Sequence, residues 1–324
     1  MKRVITVLLI LGMIFGSMAG YETTEAKEDL AGYTQTLTHP VKGTLYAVQE
    51  EEEDQSGGVY KRSVQTQGNL EDLGGILNEQ MQHYLDGTGS PAAQVSDLTS
   101  AERARVGQDL RSKVTFSLSS YRIPYDPDYV LQYVYEAIGT YPNLCALHTL
   151  IGVSYGRNIN SLEVYSPVTA GKMKAGIRSY KARLEELIAV PEKDAEMSDM
   201  EKLLYVHDEV VIRASYAQNN INEAAVHTPM TLLLDGEVVC QAYAGVMNQA
   251  AIALGIKSLQ LASSSHAWNA MELDGKWYYL DATFDDPVGN LERDFVNHKY
   301  FLFNLTDIMG EADVLESHTL DQIN

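Results

Sequence analysis

From residue 101 onward the apolar positions fall into phase. Residues 128–138 place Val130, Leu131, Val134 and Ile138 at helical spacing. Residues 146–164 hold short strand-like stretches, among them Ser161-Leu162-Glu163-Val164-Tyr165. Residues 169–188 read as a long amphipathic helix stopped by Val190-Pro191. Ser198, with Glu201 three residues on, is a capping box. It opens a helix through Met200, Leu203, Leu204, Val210 and Val211 that ends near Ser215. Residues 240–254 form the next helix, with Cys240, Tyr243, Ala244, Met247, Ala251 and Leu254 in phase and Gly255 as the stop. Strands are expected over 259–262, 266–273 and 276–283, and a last one over 299–303. Asp274-Gly275 suits a two-residue hairpin turn, whose central positions both need positive φ. Helices come first and antiparallel strands follow, which predicts an α+β fold with helices packed on an antiparallel sheet.

The first hundred residues are patterned differently. Met1-Lys2-Arg3 is a basic start, residues 4–15 are an apolar run, and Ser17-Met18-Ala19 supplies small residues at the end of it. The run is shorter than the roughly 20 residues a membrane span needs, so residues 1–19 read as a signal peptide, with an uncleaved anchor as the alternative. No cysteine follows the run, which leaves a lipid anchor unsupported. Residues 20–100 read as a spacer or pro-segment, partly disordered. The acidic block at 50–54 and the following Gln55-Ser56-Gly57-Gly58 suit a solvated loop, and a short helix is expected over 70–85. The globular domain is then 101–324.

Composition changes this picture in two respects. An apolar share of 45% allows a sizeable core. A formal net charge of -20 sets the chain against a phosphate backbone and against anionic lipid. Nucleic acid is therefore excluded as an expected partner, and no stable membrane span is expected once the signal is cleaved. The chain has only two cysteines, Cys145 and Cys240. An exported chain with two cysteines invites a single disulfide, but Leu144-Cys145-Ala146-Leu147 reads as a buried, inert thiol.

Cys240 stands at the predicted start of a helix, where free amides and the helix dipole favour a thiolate and could hold an oxyanion. With Asp274-Gly275 as the loop, Leu273 faces Lys276, Trp268 faces Asp281, and His266 faces Thr283. His266, Trp268 and Asp281 then share a face, with His266 and Asp281 diagonal neighbours. An aspartate that orients a histidine beside a thiol is the logic of thiol catalysis. Spacing alone leaves blander roles open: a core histidine, a strand-end aspartate, a disulfide. Neither CxxC nor HExxH occurs, and the adjacent residues His207 and Asp208 are expected to point to different helix faces, so no metal or cofactor is expected. Asp285-Asp286 before Pro287 reads as a turn, and Asn304-Leu305-Thr306 as a chance sequon.

Val239-Cys240-Gln241-Ala242-Tyr243-Ala244 resembles the nucleophile motif of bacterial transglutaminase-like domains. His266-Ala267-Trp268-Asn269 resembles their histidine strand. Asp274-Gly275-Lys276-Trp277-Tyr278, with Leu280-Asp281-Ala282-Thr283-Phe284-Asp285-Asp286-Pro287, resembles their aspartate strand. Glu201-Lys202 with His207-Asp208 resembles the preceding helix, and Lys299-Tyr300-Phe301-Leu302 the closing strand. The close resemblance covers 198–307. It departs at Ala242 and Ser265, where the family often has Gly, and at Phe284, where it often has Trp. It implies a papain-like core and an exported thiol acyl-transfer enzyme. Cys240 would be the nucleophile, His266 the base and Asp281 its orienter, acting on a protein or peptide such as a cell-wall peptide. Transamidation, deamidation and peptide hydrolysis all remain open. Papain-type proteases fit poorly, because their histidine follows the cysteine by roughly 130 residues or more. The alternative is a non-catalytic surface or cell-wall binding module that keeps the fold.

Overall fold

The computed structural model describes residues 70–127, 129–263, 265–286 and 296–304, with 307, 311, 317 and 318, and the backbone alone of Val7–Leu9. The rest of the expected signal peptide, the acidic block at 50–54, Pro287 and part of the sequon lie outside the described residues. The chain is mixed helix and antiparallel sheet. Its strands are β1 (Val7–Leu9), β2 (Gln94–Asp97), β3 (Ser112–Ser117), β4 (Ile151–Tyr155), β5 (Ile159–Ser166), β6 (Ser215–Tyr216), β7 (Glu237–Val238), β8 (Ser258–Ala262), β9 (Ala267–Leu273) and β10 (Lys276–Leu280). Its helices are α1 (Leu73–Asp86), α2 (Ser100–Val106), α3 (Val130–Thr140), α4 (Ala170–Lys193), α5 (Asp199–Arg213), α6 (Pro229–Leu234) and α7 (Cys240–Ala253). Among the described residues no helix is long and apolar enough to cross a membrane.

The strands form two separate antiparallel sheets, ordered β1-β4-β5-β3-β2 and β10-β9-β8, and β6 pairs in parallel with β7. The expectation that helices precede strands is therefore corrected: the five-stranded sheet comes before α4 to α7 in the chain. The expected strand at 299–303 is also absent. Phe303 makes one bridge to Tyr279, Leu302 has φ +52, and the Tyr300 amide bonds the Asp285 carboxylate rather than a strand. Helix α4 does not stop at Val190-Pro191 but runs on to Lys193. So near the helix end, a proline removes only the bond to one carbonyl and leaves the last turn otherwise intact.

Local chemistry explains the elements that position the site. Helix α1 turns Leu73, Ile76, Leu77, Met81 and Leu85 inward and ends at Gly87, whose φ of +72 suits glycine. These residues join one core that also takes residues from α3, α4, α5 and α7. Helix α5 starts on the Ser198–Glu201 capping box, as the sequence predicts. Helix α7 is buried on all sides from Cys240 to Ala251, so its polar residues need internal partners. They have them: Asn248 donates to the Gly139 carbonyl at 3.0 Å, Gln249 donates to the Ile138 carbonyl at 2.9 Å, and the Tyr180 hydroxyl donates to Gln249 at 2.7 Å.

Candidate active site

Gly236 begins the approach to the thiol. Its φ is +89, and a Cβ there would meet the Arg213 carbonyl oxygen at 2.8 Å. Only glycine lets the chain turn so close to the end of α5. The Gly236 carbonyl accepts from Ser215, and the Val238 carbonyl accepts from Ala217, which ties β7 to β6. Val239 is extended and caps α7 with no side-chain bond, so Cys240 enters as the first residue of a buried helix. Cys240 is 2% exposed and packs against Ala244 and Ala267. Both cysteines are free and buried. Burial pushes the Cys145 thiol well up, in keeping with an inert residue.

The hairpin turn forms as expected, with φ +51 at Asp274 and +73 at Gly275 and with Leu273 opposite Lys276. The ladder stops at Leu280 opposite Asn269, so the expected pairs Trp268–Asp281 and His266–Thr283 do not form. Asp281 instead gives its amide to the Tyr300 carbonyl at 2.9 Å and starts a turn. His266 and Asp281 still meet, with Nε2 and Oδ2 2.5 Å apart. Cys240 is close enough to the His266 ring to raise its pKa.

Asp281 is 1% exposed, and four N–H groups converge on it. Oδ1 accepts from the amides of Thr283 at 2.9 Å and Phe284 at 3.1 Å. Oδ2 meets His266 Nε2 and, at 2.9 Å, His318 Nε2. Burial alone would raise this carboxyl, but the two histidines outweigh it and hold it well below the usual carboxylate range. Burial likewise opposes a charged His266, yet Asp281 and Cys240 push that ring up to about 10.

His318 is a site residue that sequence reasoning missed. It is fully buried and packs edge-on against His266, Phe284 and Phe303 at 5.1–5.4 Å. It sits in a C-terminal tail without apolar periodicity, where no local signal marks it. Phe284 stacks on His266 at 4.6 Å and 17° and so keeps an aromatic ring over the histidine. Half-buried Tyr216 lies near enough to feel both Cys240 and Asp281. Burial, then those two charges, push its phenol up to about 12.

The expectation that His207 and Asp208 diverge is overturned. Asp208 folds back so that its Oδ1 lies 3.0 Å from His207 Nδ1 and 2.8 Å from His298 Nε2. A carboxylate can reach round a helix toward a face that its Cβ does not point along. Asp285 and Asp286 are more than turn residues: Asp285 is fully buried beside His207, and Asp286 accepts from the Tyr243 hydroxyl at 2.5 Å.

No family model and no curated protein matches the sequence. Among solved structures the chain is similar to a crystal structure named as a TGase, at 15% identity over 44% of this chain and 47% of that one, with a TM-score of 0.29. It is also similar to a structure named "putative protease" from Parabacteroides distasonis, at 20% identity over 40% of this chain and 30% of that one, with a TM-score of 0.25. The matches thus span less than half the length of those two chains. At these scores the likeness carries no functional argument.

Proposed function

We propose that the chain is an exported thiol acyl-transfer enzyme built on a papain-like transglutaminase core. Cys240 is its nucleophile, His266 its acid and base, and Asp281 the group that orients His266. One observation carries the reading: the His266 ring is held by Asp281 at 2.5 Å, and a free cysteine at a helix start is close enough to raise that ring's pKa. The Cys240 proton passes to His266, the sulfur attacks an amide carbon, and the oxyanion meets the amides that begin α7. His266 gives its proton to the leaving nitrogen, the C–N bond breaks, and a thioester remains. An incoming amine or water then loses a proton to His266 as it attacks the thioester, the C–S bond breaks, and His266 returns the proton to the sulfur. Amine gives transamidation; water gives deamidation or hydrolysis. The substrate is a protein or peptide, with cell-wall peptides as one candidate.

The test is intact-mass analysis of the full chain with a glutamine peptide and a primary amine. The wild type is expected to yield an amine adduct, a deamidated product or a cleaved one, and Cys240→Ala none of them. Turnover in Cys240→Ala would sink the reading. A second reading rests on burial, since Cys240, His266 and Asp281 are 2%, 6% and 1% exposed. A binding module that keeps the fold would be closed in this way. Stoichiometric iodoacetamide labelling of Cys240 at mildly acidic pH, lost in His266→Ala, excludes that module; an inert Cys240 supports it.

A further inference from the structure

A second group of histidine and aspartate stands outside the thiol site. Helix α5 supplies His207 and Asp208, and the segment 296–304 supplies His298. His207 Nδ1 and His298 Nε2 approach the same oxygen, Asp208 Oδ1, at 3.0 and 2.8 Å. One ligand-type atom from each residue lies within 4.8 Å of the other two. The His207 side chain is fully buried, whereas those of Asp208 and His298 are 34% and 46% exposed.

We propose that His207 Nδ1, Asp208 and His298 Nε2 form a binding site for a divalent transition-metal ion of the zinc class. The donor types suit that class. Two imidazoles and one carboxylate match a borderline-soft ion, whereas calcium and magnesium take oxygen ligands almost throughout. The spacing suits it as well. A tetrahedral ion with ligands at about 2.0 Å separates neighbouring donors by about 3.3 Å. The two contacts to Asp208 need only open by a few tenths of an ångström.

The surroundings of His207 supply an independent reason. Its far nitrogen, Nε2, is buried without an aligned hydrogen bond, yet it lies 3.2 Å from Asp285 Oδ2. Asp285 is itself fully buried and fixed by the Tyr300 amide at 3.0 and 3.1 Å from its two oxygens. A carboxylate behind the far nitrogen is the arrangement that sets the tautomer and ring direction of a metal-binding histidine. With the proton on Nε2, Nδ1 presents its lone pair to the ion, and binding releases the Nδ1 proton. The exposed flank at Asp208 and His298 gives the ion a way in and leaves its remaining position to water. An ion there joins α5 to the segment 296–304, whose Tyr300 carbonyl takes the Asp281 amide. Its binding does not depend on the thiol chemistry.

The test uses the full chain, stripped with a chelator and titrated with Co²⁺, whose visible bands report nitrogen coordination, and with Zn²⁺ in competition. The wild type is expected to take up one ion per chain, with a rise in Tm. Asp208→Asn and His298→Ala, both at the exposed flank, are each expected to weaken uptake by roughly tenfold or more at unchanged circular dichroism. His318→Phe, in the buried cluster, is expected to leave uptake intact. Failure of the folded wild type to take up a stoichiometric ion overturns the proposal. Uptake insensitive to both flank substitutions overturns it too, as does uptake lost in His318→Phe, which would place the ion with His266 and Asp281.

Discussion

Two histidines around one aspartate occur twice among the described residues, and the two clusters differ in what surrounds the same residue types. Around Asp281 every member is buried, two backbone amides fill one carboxylate oxygen, and a cysteine stands beside one ring. Around Asp208 only His207 is buried, the aspartate opens to solvent, and the partner behind His207 is a second carboxylate. A saturated, dry aspartate fixes a histidine and its charge. A part-exposed one can change partners. The comparison teaches that the residue list does not set the chemistry; desolvation and the nature of the next neighbour do.

Asp281→Asn tests the buried cluster most severely. It is expected to lower kcat/KM by roughly 10²–10⁴-fold, because the amide cannot stabilise the imidazolium. The alkaline limb of the pH profile, set in the wild type by a ring pushed up to about 10, should move toward the ordinary histidine value of 6.5. A limb that stays in place would show that Asp281 does not act through His266. His207→Ala tests the other cluster, and its effect falls on stability. Burial opposes a charged His207, but Asp208 and Asp285 outweigh it and raise the ring. Removing that ring leaves Asp285 buried and unpaired, at a cost of about 3–5 kcal/mol in chemical denaturation. A loss well under 1 kcal/mol would mean that Asp285 relies on the Tyr300 amide alone.

His318→Phe sharpens the contrast at smaller scale. It keeps the ring packing but removes one donor to Asp281, and kcat should fall roughly tenfold with KM unchanged. A change confined to KM would point to a role in substrate contact instead. The smallest expected effect is on the pH dependence of stability. The His266 value is raised in the folded state, so its contribution is complete below about 6.5 and is lost as pH rises through about 10. Tm should therefore decline across that window in the wild type and decline less in His266→Gln. Asp281 has the opposite sign: its depressed value contributes above the ordinary 3.8 and is lost as pH falls through the folded value.

The local part of this architecture was legible in the sequence. Ser198 and Glu201 announce the start of α5, Asp274-Gly275 announces the hairpin and its register, and the phase of Tyr243, Ala244, Met247 and Ala251 announces α7. Cys240, His266 and Asp281 were nominated from motifs short enough to read along the chain. Less was legible wherever a residue's partner is distant. Counting outward along the hairpin fails one pair past Leu280, because Tyr300 competes for the Asp281 amide. His318 carries no local mark, since its whole significance is an aspartate 37 residues earlier. The Cβ directions of His207 and Asp208 diverge along the helix, and only the reach of the Asp208 carboxylate toward His207 and His298 brings the three together.

By itself, the sequence determined the longer helices, the turn and the order of the chemical groups, because caps, glycine φ and apolar period act over a few neighbouring residues. The tertiary structure alone decided that the early strands form a sheet of their own. It alone also decided that Asp281 leaves its ladder and gathers two histidines, and that a second such group forms between α5 and the segment 296–304. Those outcomes are competitions between backbone and side-chain partners far apart in the chain, and they are settled only when burial removes water as the alternative partner.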